Sequence, residues 1–461
     1  MSSQAVRANR VVRHSVLVLL LQVMLLCCAV INNFLLAHMG GPQGKGLLYL
    51  MQLVQNQGLS FLHFSLGYSA IYFLGQDRGY SLRDVASAMM IPSLVLGAIP
   101  AVLAALAWPL ISGVAGKELP PLYLWLALLS IPAVIFSFNV SQFSLGRHRI
   151  SEYNALGVGA SALLAVSLVL LWAGHQARFQ YLVVAWFISF CAPAMYAFVL
   201  IWRASEGHLW PKRKFLRSAW QFSWRSHLGG VTQQLQHRAP VLLVAYFLPV
   251  AQLGIYSVGV SLAELLWYMP NAISTVLMPY VASGNEEDAS RTTPSFCRIV
   301  LVATAGLAVA LSVVSRSLIP RLLPSFVPSL VPLYLLMPGV VIATIFRVLS
   351  SDLNGRGRPL ETFYPAITTL VVECLAGLMV IPRYGLVGAA LVTSAGYALN
   401  STLYALSYRR LAKIRMSDLF LLQPIDLRRM QSAARGVFAA KRTVRPEIAL
   451  VPEDLSLPVE K

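Results

Sequence analysis

The chain has 461 residues, of which 57% are hydrophobic and only 12% charged, more apolar surface than a water-soluble core of that size can hide. Its main solvent is therefore lipid. The formal net charge of +18 would otherwise suggest a nucleic-acid partner, but it follows membrane topology, as the loop count below shows, and attraction to anionic headgroups.

Runs of about 20 apolar residues, the length that crosses a roughly 30 Å hydrocarbon layer as a helix, recur from end to end. The first, over 15–37, follows Arg7, Arg10 and Arg13 and begins like a signal peptide. Its apolar stretch exceeds the roughly 7–15 residues of a cleavable segment and more spans follow, so it reads as a retained anchor. Further spans are predicted at 47–74, 85–111, 120–143, 153–173, 180–202, 219–247, 253–281, 297–319, 330–351, 362–381 and 385–408. The expectation is an all-α polytopic membrane protein of about twelve transmembrane helices.

Cytoplasmic loops hold the excess of Lys and Arg. With both termini inside, 27 of the 36 Lys and Arg fall on the inner side and six on the outer side, among them Lys45; Arg225, Arg238 and Arg347 lie within spans. Removing the tail leaves 16 against six, so the orientation does not rest on it. Cys27, Cys28, Cys191, Cys297 and Cys374 lie in or beside apolar runs without a CxxC pair or nearby His, which predicts neither a disulfide framework nor a metal site. No cofactor is expected.

Two inner loops share one frame. GRHRISE (Gly146 to Glu152) joins spans four and five, and GRGRPLE (Gly355 to Glu361) joins spans ten and eleven, 209 residues later. Gly can end a helix, Arg holds the loop inside, and Glu suits the next helix's first turn. A second echo has nearly the same offset: GLLYLM opens span two at Gly46 and LGIYSV opens span eight at Leu253. Together they indicate a duplicated six-span unit. Because six is even, the copies are parallel repeats related by an axis along the membrane normal. The predicted units are an N-terminal lobe over 1–205, a C-terminal lobe over 206–410 and a basic cytoplasmic tail over 411–461. Paired bundles of this kind commonly enclose a central site that opens to one face at a time. Pro92, Pro100, Pro132, Pro193, Pro240, Pro270, Pro338 and Pro365 fall inside spans and would bend them.

Polar residues at membrane depth mark the candidate cavity, since a central Arg costs about 2.5–3.5 kcal/mol on insertion scales. At 100° per residue, Arg225, Gly229, Thr232, Gln233, Gln236 and Pro240 of span seven fall within about 100°. His237 lies at the margin of that face and Arg238 points toward the opposite side. Span two carries a matching stripe of Gln52, Gln55, Asn56, Ser60, His63 and Gly67. The alternative is that these groups bond neighbouring helices. Glu264 and Glu373 are near mid-depth and are candidates for ion or proton coupling, or for structural pairing with an Arg. Arg347 and Asp352 read as residues of the inner boundary. A slightly cationic cavity suits an anionic headgroup.

At LLAHMGGPQGKGLLYL, LGIYSVGVSLAELLWYMPNAISTVLMPYVAS, LNGRGRPLE and IPRYGLVGAALVTSAGYAL, the chain resembles the polysaccharide-transport, O-unit flippase branch of the multidrug and oligosaccharidyl-lipid exporter superfamily. The resemblance implies two six-helix lobes, as in the multidrug exporters, around a central cavity in a bacterial inner membrane. It also implies a transporter rather than an enzyme, moving a polyprenyl-diphosphate-linked oligosaccharide to the outer leaflet, with Arg225 and Arg238 as the cations that would serve. Substrate contacts are expected at Arg225, Gln233, Gln236, His237, Arg238, Gln52, Asn56 and His63. A monomer working beside a polymerase or glycosyltransferases is expected. Two alternatives carry less support. A membrane enzyme on the same lipid would need a sizeable outer loop, and here the longest is about 315–329. A small-molecule exporter of the same superfamily, or a major-facilitator protein, would lack the diphosphate requirement, and GQDRGYSLRD does not match the facilitator loop spacing. The tail begins KIRMSDLFLLQPIDLRRM, which suits a short helix on the inner membrane face.

Overall fold

The computed structural model describes residues 3–75, 80–107, 119–147, 149–208, 210–283, 286–358, 360–424 and 426. Among them all regular structure is helical. The N-terminal part contains α1 (Ser3–Leu62), α2 (Leu66–Gly75), α3 (Leu82–Leu106), α4 (Pro121–Gly146), α5 (Ile150–Ala173) and α6 (Phe179–Ala204). The C-terminal part contains α7 (Arg213–Phe247), α8 (Val250–Glu264) joined by a 3-10 turn to α9 (Tyr268–Ser283), α10 (Glu286–Leu322), α11 (Leu330–Gly355), α12 (Leu360–Ala412) and the short α13 (Ser417–Phe420).

Nine helical stretches among the described residues are long and apolar enough to cross a membrane. Two of them hold two passes each. α1 turns at Gly41 (φ 61°) and α12 at Gly385 (φ 55°), in the left-handed region that suits glycine. The sequence predicts an outer connection over 38–46 between spans one and two; there the chain bends at Gly41, and Pro42 follows at once where a missing amide proton costs little. α7 is long enough at 35 residues, but its polar groups lower its hydropathy below that of an ordinary span. These features bring the passes to the twelve that the sequence predicts.

Pro92, Pro100, Pro132, Pro193, Pro240, Pro338 and Pro365 lie inside helices, each removing one backbone hydrogen bond. Apolar packing forms separate cores. Leu36, Leu128, Ile131 and Trp186 centre one of them in the N-terminal part, while Tyr256, Leu336, Phe346 and Tyr404 centre another in the C-terminal part. α7 belongs to both parts: Phe215 and Ala219 pack with Phe73, Val85 and Met89, whereas Val241 and Val244 pack in the C-terminal core. Tyr49 and Leu53 of α1 make the reverse crossing and are buried in that C-terminal core.

The duplicated loop frame has a structural counterpart. The first Arg of each copy reaches back four residues along its helix. Arg147 lies over the Phe143 ring at 5.4 Å, and Arg356 pairs with Asp352, the position 209 residues beyond Phe143. Asp352 also accepts from Thr293 and Tyr408, so this residue near the helix end is a buried acceptor.

α13 and its flanks dock on the protein, where the sequence predicts a helix on the membrane face. Leu419 is buried, and the buried Arg298 of α10 holds Asp426 at 2.6 Å, with Ser295 donating to the same carboxylate and Arg298 to the Asp418 carbonyl. The ion pair explains the docking, because a buried guanidinium must be matched.

Candidate functional site: a cationic cavity and its side chamber

The central cavity, about 750 Å³, lies between α1, α7, the broken α8–α9 pair and α10. A 3-10 turn over Leu265–Trp267 joins the two helices, and Glu264, Trp267 and Asn271, spaced i, i+3 and i+7 as on one helix face, line this space. Arg238 of α7 donates to Glu264 at 2.9 Å, so those two charges cancel. Arg347 of α11 lies over the Trp267 ring at 4.3 Å and donates to Asn271 Oδ1 at 3.2 Å. Among the described residues no carboxylate pairs with Arg347, and its Nε is buried without a partner. The cavity therefore keeps one unbalanced positive charge.

His237 stands beside this cation, packed on Phe346 and Tyr397 at 5.7 and 6.2 Å between ring centroids. Both of its ring nitrogens are buried and have no hydrogen-bond partner among the described residues. The opposite wall is apolar, made by Val30 and Phe34 of α1 and Leu311, Val314 and Leu318 of α10. One space thus offers a cation with aromatic and amide groups on one side and hydrocarbon on the other. That pairing accommodates an amphiphile whose head is anionic.

A second cavity of about 370 Å³ adjoins the first across Ala29, Asn33 and Ser261, which line both. Lys45, Gln52, Asn32, Ser161 and Ser189 face it. Lys45, counted from sequence as an outer-loop charge, is only 4% exposed.

The residues singled out from sequence fall into several groups. His237, Arg238 and Glu264 line the central cavity, and Gln52 lines the side chamber. Gln236 turns to α12 and donates to both oxygens of Glu373 at 3.2 and 3.3 Å, with the two side chains 1% and 2% exposed. Gly396 makes room for that carboxylate, since a methyl group there would overlap it. Asn56 is exposed. His63 hydrogen-bonds the Leu59 carbonyl and meets His227 of α7 edge-on at 5.1 Å, apart from both cavities. Gln233, one turn before His237 on α7, does not itself line either cavity. Arg225 is in α7, but its side chain lies outside the described residues.

Arg347, Gln234, Trp267, Tyr397 and Lys45 were missed. Arg347 had a usable signal: it precedes Gly355 of the repeated frame by eight residues, which is about two helical turns inside the boundary that the frame marks.

Comparison with known proteins follows the same lines. A family profile described as "Polysaccharide biosynthesis protein" matches residues 70–326, more than half of the chain. No curated protein matches it in sequence. The chain is similar to a multidrug resistance MATE family transporter of the MOP superfamily in an inward-facing conformation (TM-score 0.65, 13% identity, covering 84% of this chain and 94% of that one). It is similar to the lipid II flippase MurJ in an inward closed conformation (0.62, 13%, covering 93% and 94%). It is also similar to an outward-facing MATE transporter (0.59, 13%, covering 87% and 93%). At such identities the likeness is one of fold. The chain is a multi-pass membrane protein with the all-helical fold of these transporters, and it belongs to the polysaccharide biosynthesis protein family.

Proposed function

We propose that the chain is a flippase that carries a polyprenyl-diphosphate-linked oligosaccharide from the inner to the outer leaflet of a bacterial inner membrane for surface or exopolysaccharide assembly. The observation that carries this reading is Arg347, a cation without a carboxylate partner among the described residues, stacked on Trp267 in a cavity with an apolar flank. The diphosphate would neutralise Arg347 and compete with Glu264 for Arg238, the sugars would fill the polar space, and the prenyl chain would follow the apolar wall. No bond is made or broken. The work is a change of access between two lobes, over 1–205 and 206–410, rocking about the substrate.

Coupling is assigned to Glu373 before Glu264. Glu264 is held by Arg238, whereas Glu373 is buried against an uncharged amide and has no ion-pair partner among the described residues, so a proton or cation could complete it. A multidrug exporter with this fold is the second reading, favoured by the aromatic and apolar lining. The cancelled Glu264 argues against it, because an organic cation would meet Arg347 unopposed.

The test is reconstitution in vesicles with a fluorescent polyprenyl-diphosphate sugar. Movement of that lipid between leaflets, lost in Arg347→Gln, supports the flippase. Normal movement in Arg347→Gln, or drug efflux without lipid movement, rejects it.

A further inference from the structure

The tail is held to the protein by one edge only. α12 ends just before Lys413, which takes a left-handed conformation (φ 52°), a common way to stop a helix and turn the chain. Leu419 and Asp426 then form the buried edge. Among the described residues, every hydrogen bond that the Arg298 side chain donates goes to the tail: to both Asp426 oxygens, the Asp418 carbonyl and Gln423 Oε1.

The other edge is open and mixes two kinds of side chain. Leu421 and Leu422 are 65% and 42% exposed, and Arg409, Arg410, Lys413 and Arg415 are exposed as well. No carboxylate pairs with any of these four cations among the described residues. Asp418 is the one acid between 409 and 424, and its carboxylate already accepts from the Arg415 amide. The edge therefore carries an excess of positive charge beside two adjacent leucines.

Leucines facing water gain from being covered, and the cations beside them select what covers them. Arg409 and Arg410 stand in the last turn of α12, where basic residues mark the level of the lipid headgroups. Apolar side chains flanked by Lys and Arg seat in the headgroup layer, and an anionic leaflet adds attraction for each cation. A leaflet surface meets both needs at once.

We propose that the open edge of the docked tail, Arg409, Arg410, Lys413 and Arg415 with Leu421 and Leu422, is a binding site for anionic phospholipid headgroups, and that lipid bound there steadies the tail on Arg298. Leaflet composition then reaches α10, whose far half forms the apolar wall of the central cavity through Leu311, Val314 and Leu318. This stands apart from the flippase reading, because it involves neither Arg347 nor the cargo.

The experiment follows hydrogen exchange in the full-length protein held in nanodiscs of phosphatidylcholine, or of an equal mixture with phosphatidylglycerol. Protection over 413–424 should be about fivefold greater or more with phosphatidylglycerol, the effect of one cation or more at an anionic surface, and added salt should shrink the difference. The inner end of α10, over 292–298, should gain protection in parallel. Lys413→Gln with Arg415→Gln should cut the difference about threefold or more, and Arg409→Gln with Arg410→Gln is an independent second pair. Leu421→Ser with Leu422→Ser should lower protection in both lipids. Inorganic phosphate added to phosphatidylcholine discs at matched ionic strength should not reproduce the effect. Equal protection in the two lipids overturns the proposal, as does a difference that salt leaves untouched or that survives both charge pairs. Reproduction by free phosphate would make the edge an anion site and not a lipid site, protection unchanged in the serine pair would remove the leucines from it, and no gain at 292–298 would sever the link to α10; each rejects the proposal as stated.

Discussion

Gly46 and Gly254, 208 residues apart in sequence, lie against each other where α1 crosses α8: a β-carbon on Gly254 would stand 2.8 Å from the Gly46 amide nitrogen. The contact is reciprocal. A β-carbon on Gly46 would overlap the Val250 carbonyl, and one on Gly254 would overlap the carbonyl of Pro42, which is 208 residues before Val250. Each copy of the echoed segment thus packs its glycine on the other's backbone, the relation expected across a two-fold axis. With both termini cytoplasmic, as the charge count predicts, this contact would stand at the outer end of both helices and close the space between them on that side.

Gly46→Leu and Gly254→Leu should each wedge that end open, and by the reciprocity they should do so to a similar degree. The readout is labelling of a cysteine at Ser261, between the two cavities, by a membrane-impermeant thiol reagent added outside, in a background without the five native cysteines. Labelling should rise at least severalfold in both variants. A rise in one and not the other would contradict the symmetric contact.

The Arg238–Glu264 pair predicts a sign. Arg238→Gln leaves Glu264 unopposed and takes the cavity from one net positive charge to none, while Glu264→Gln raises it to two. Pyrophosphate binding should weaken about tenfold or more in the first and tighten in the second, as charge-assisted hydrogen bonds contribute about 1.5–3 kcal/mol. The double variant should bind about as the wild type does, and titration calorimetry on all four proteins completes the cycle. Weaker binding in Glu264→Gln, or a double variant that binds no better than Arg238→Gln, would contradict this charge balance.

At Glu373 the expected result is a separation of binding from transport. Glu373→Gln keeps the hydrogen-bond geometry with Gln236 and removes the titratable carboxylate. Pyrophosphate affinity should stay within about twofold of the wild type, while gradient-driven lipid movement falls at least tenfold and equilibrium exchange persists. Loss of all movement together with reduced folded protein would make Glu373 structural.

The docked tail gives a pH prediction. Burial alone would raise the Asp426 carboxyl, but hydrogen bonds from Arg298, Ser295 and the Gln423 amide prevail and hold it at about 2, below the usual 3.8. A carboxyl lowered on folding contributes stability that is complete above its unfolded value and fades as pH falls through the folded one. Docking should therefore be unchanged between about pH 5 and pH 8. Hydrogen exchange over 417–424, corrected for its intrinsic pH dependence, should show a flat protection factor in that range. Asp426→Ala strands Arg298 and should cost about 3 kcal/mol, raising exchange at least tenfold at every pH.

How much of this could be read from sequence varied with the distance over which each residue acts. The Gly-Arg frames were legible because loop chemistry is local, and so was the echo at Gly46 and Gly254. That these glycines touch was not, because an offset shows duplication but not contact. On α7 the helical wheel grouped Gln233 with Gln236, whereas Gln234 and Arg238, on the neighbouring strip, face the cavity. A helix with polar groups on several sides does not tell which side meets a partner helix and which meets open space. Lys45 and Arg347 were both placed at membrane boundaries by the rule that charges mark ends. Lys45 follows the Gly41 bend and is buried, and for Arg347 the Trp267 ring covers the guanidinium.

The central claim is that a cation without a carboxylate partner in a two-lobed membrane fold receives a phosphorylated lipid headgroup. The most direct measurement is the rate at which reconstituted vesicles move a fluorescent polyprenyl-diphosphate sugar between leaflets, compared with the same lipid carrying a neutral head. Transport of the diphosphate lipid alone, reduced at least tenfold by Arg347→Gln with the protein still folded, is the predicted result. Equal transport of the neutral lipid, or a rate untouched by that substitution, would contradict it.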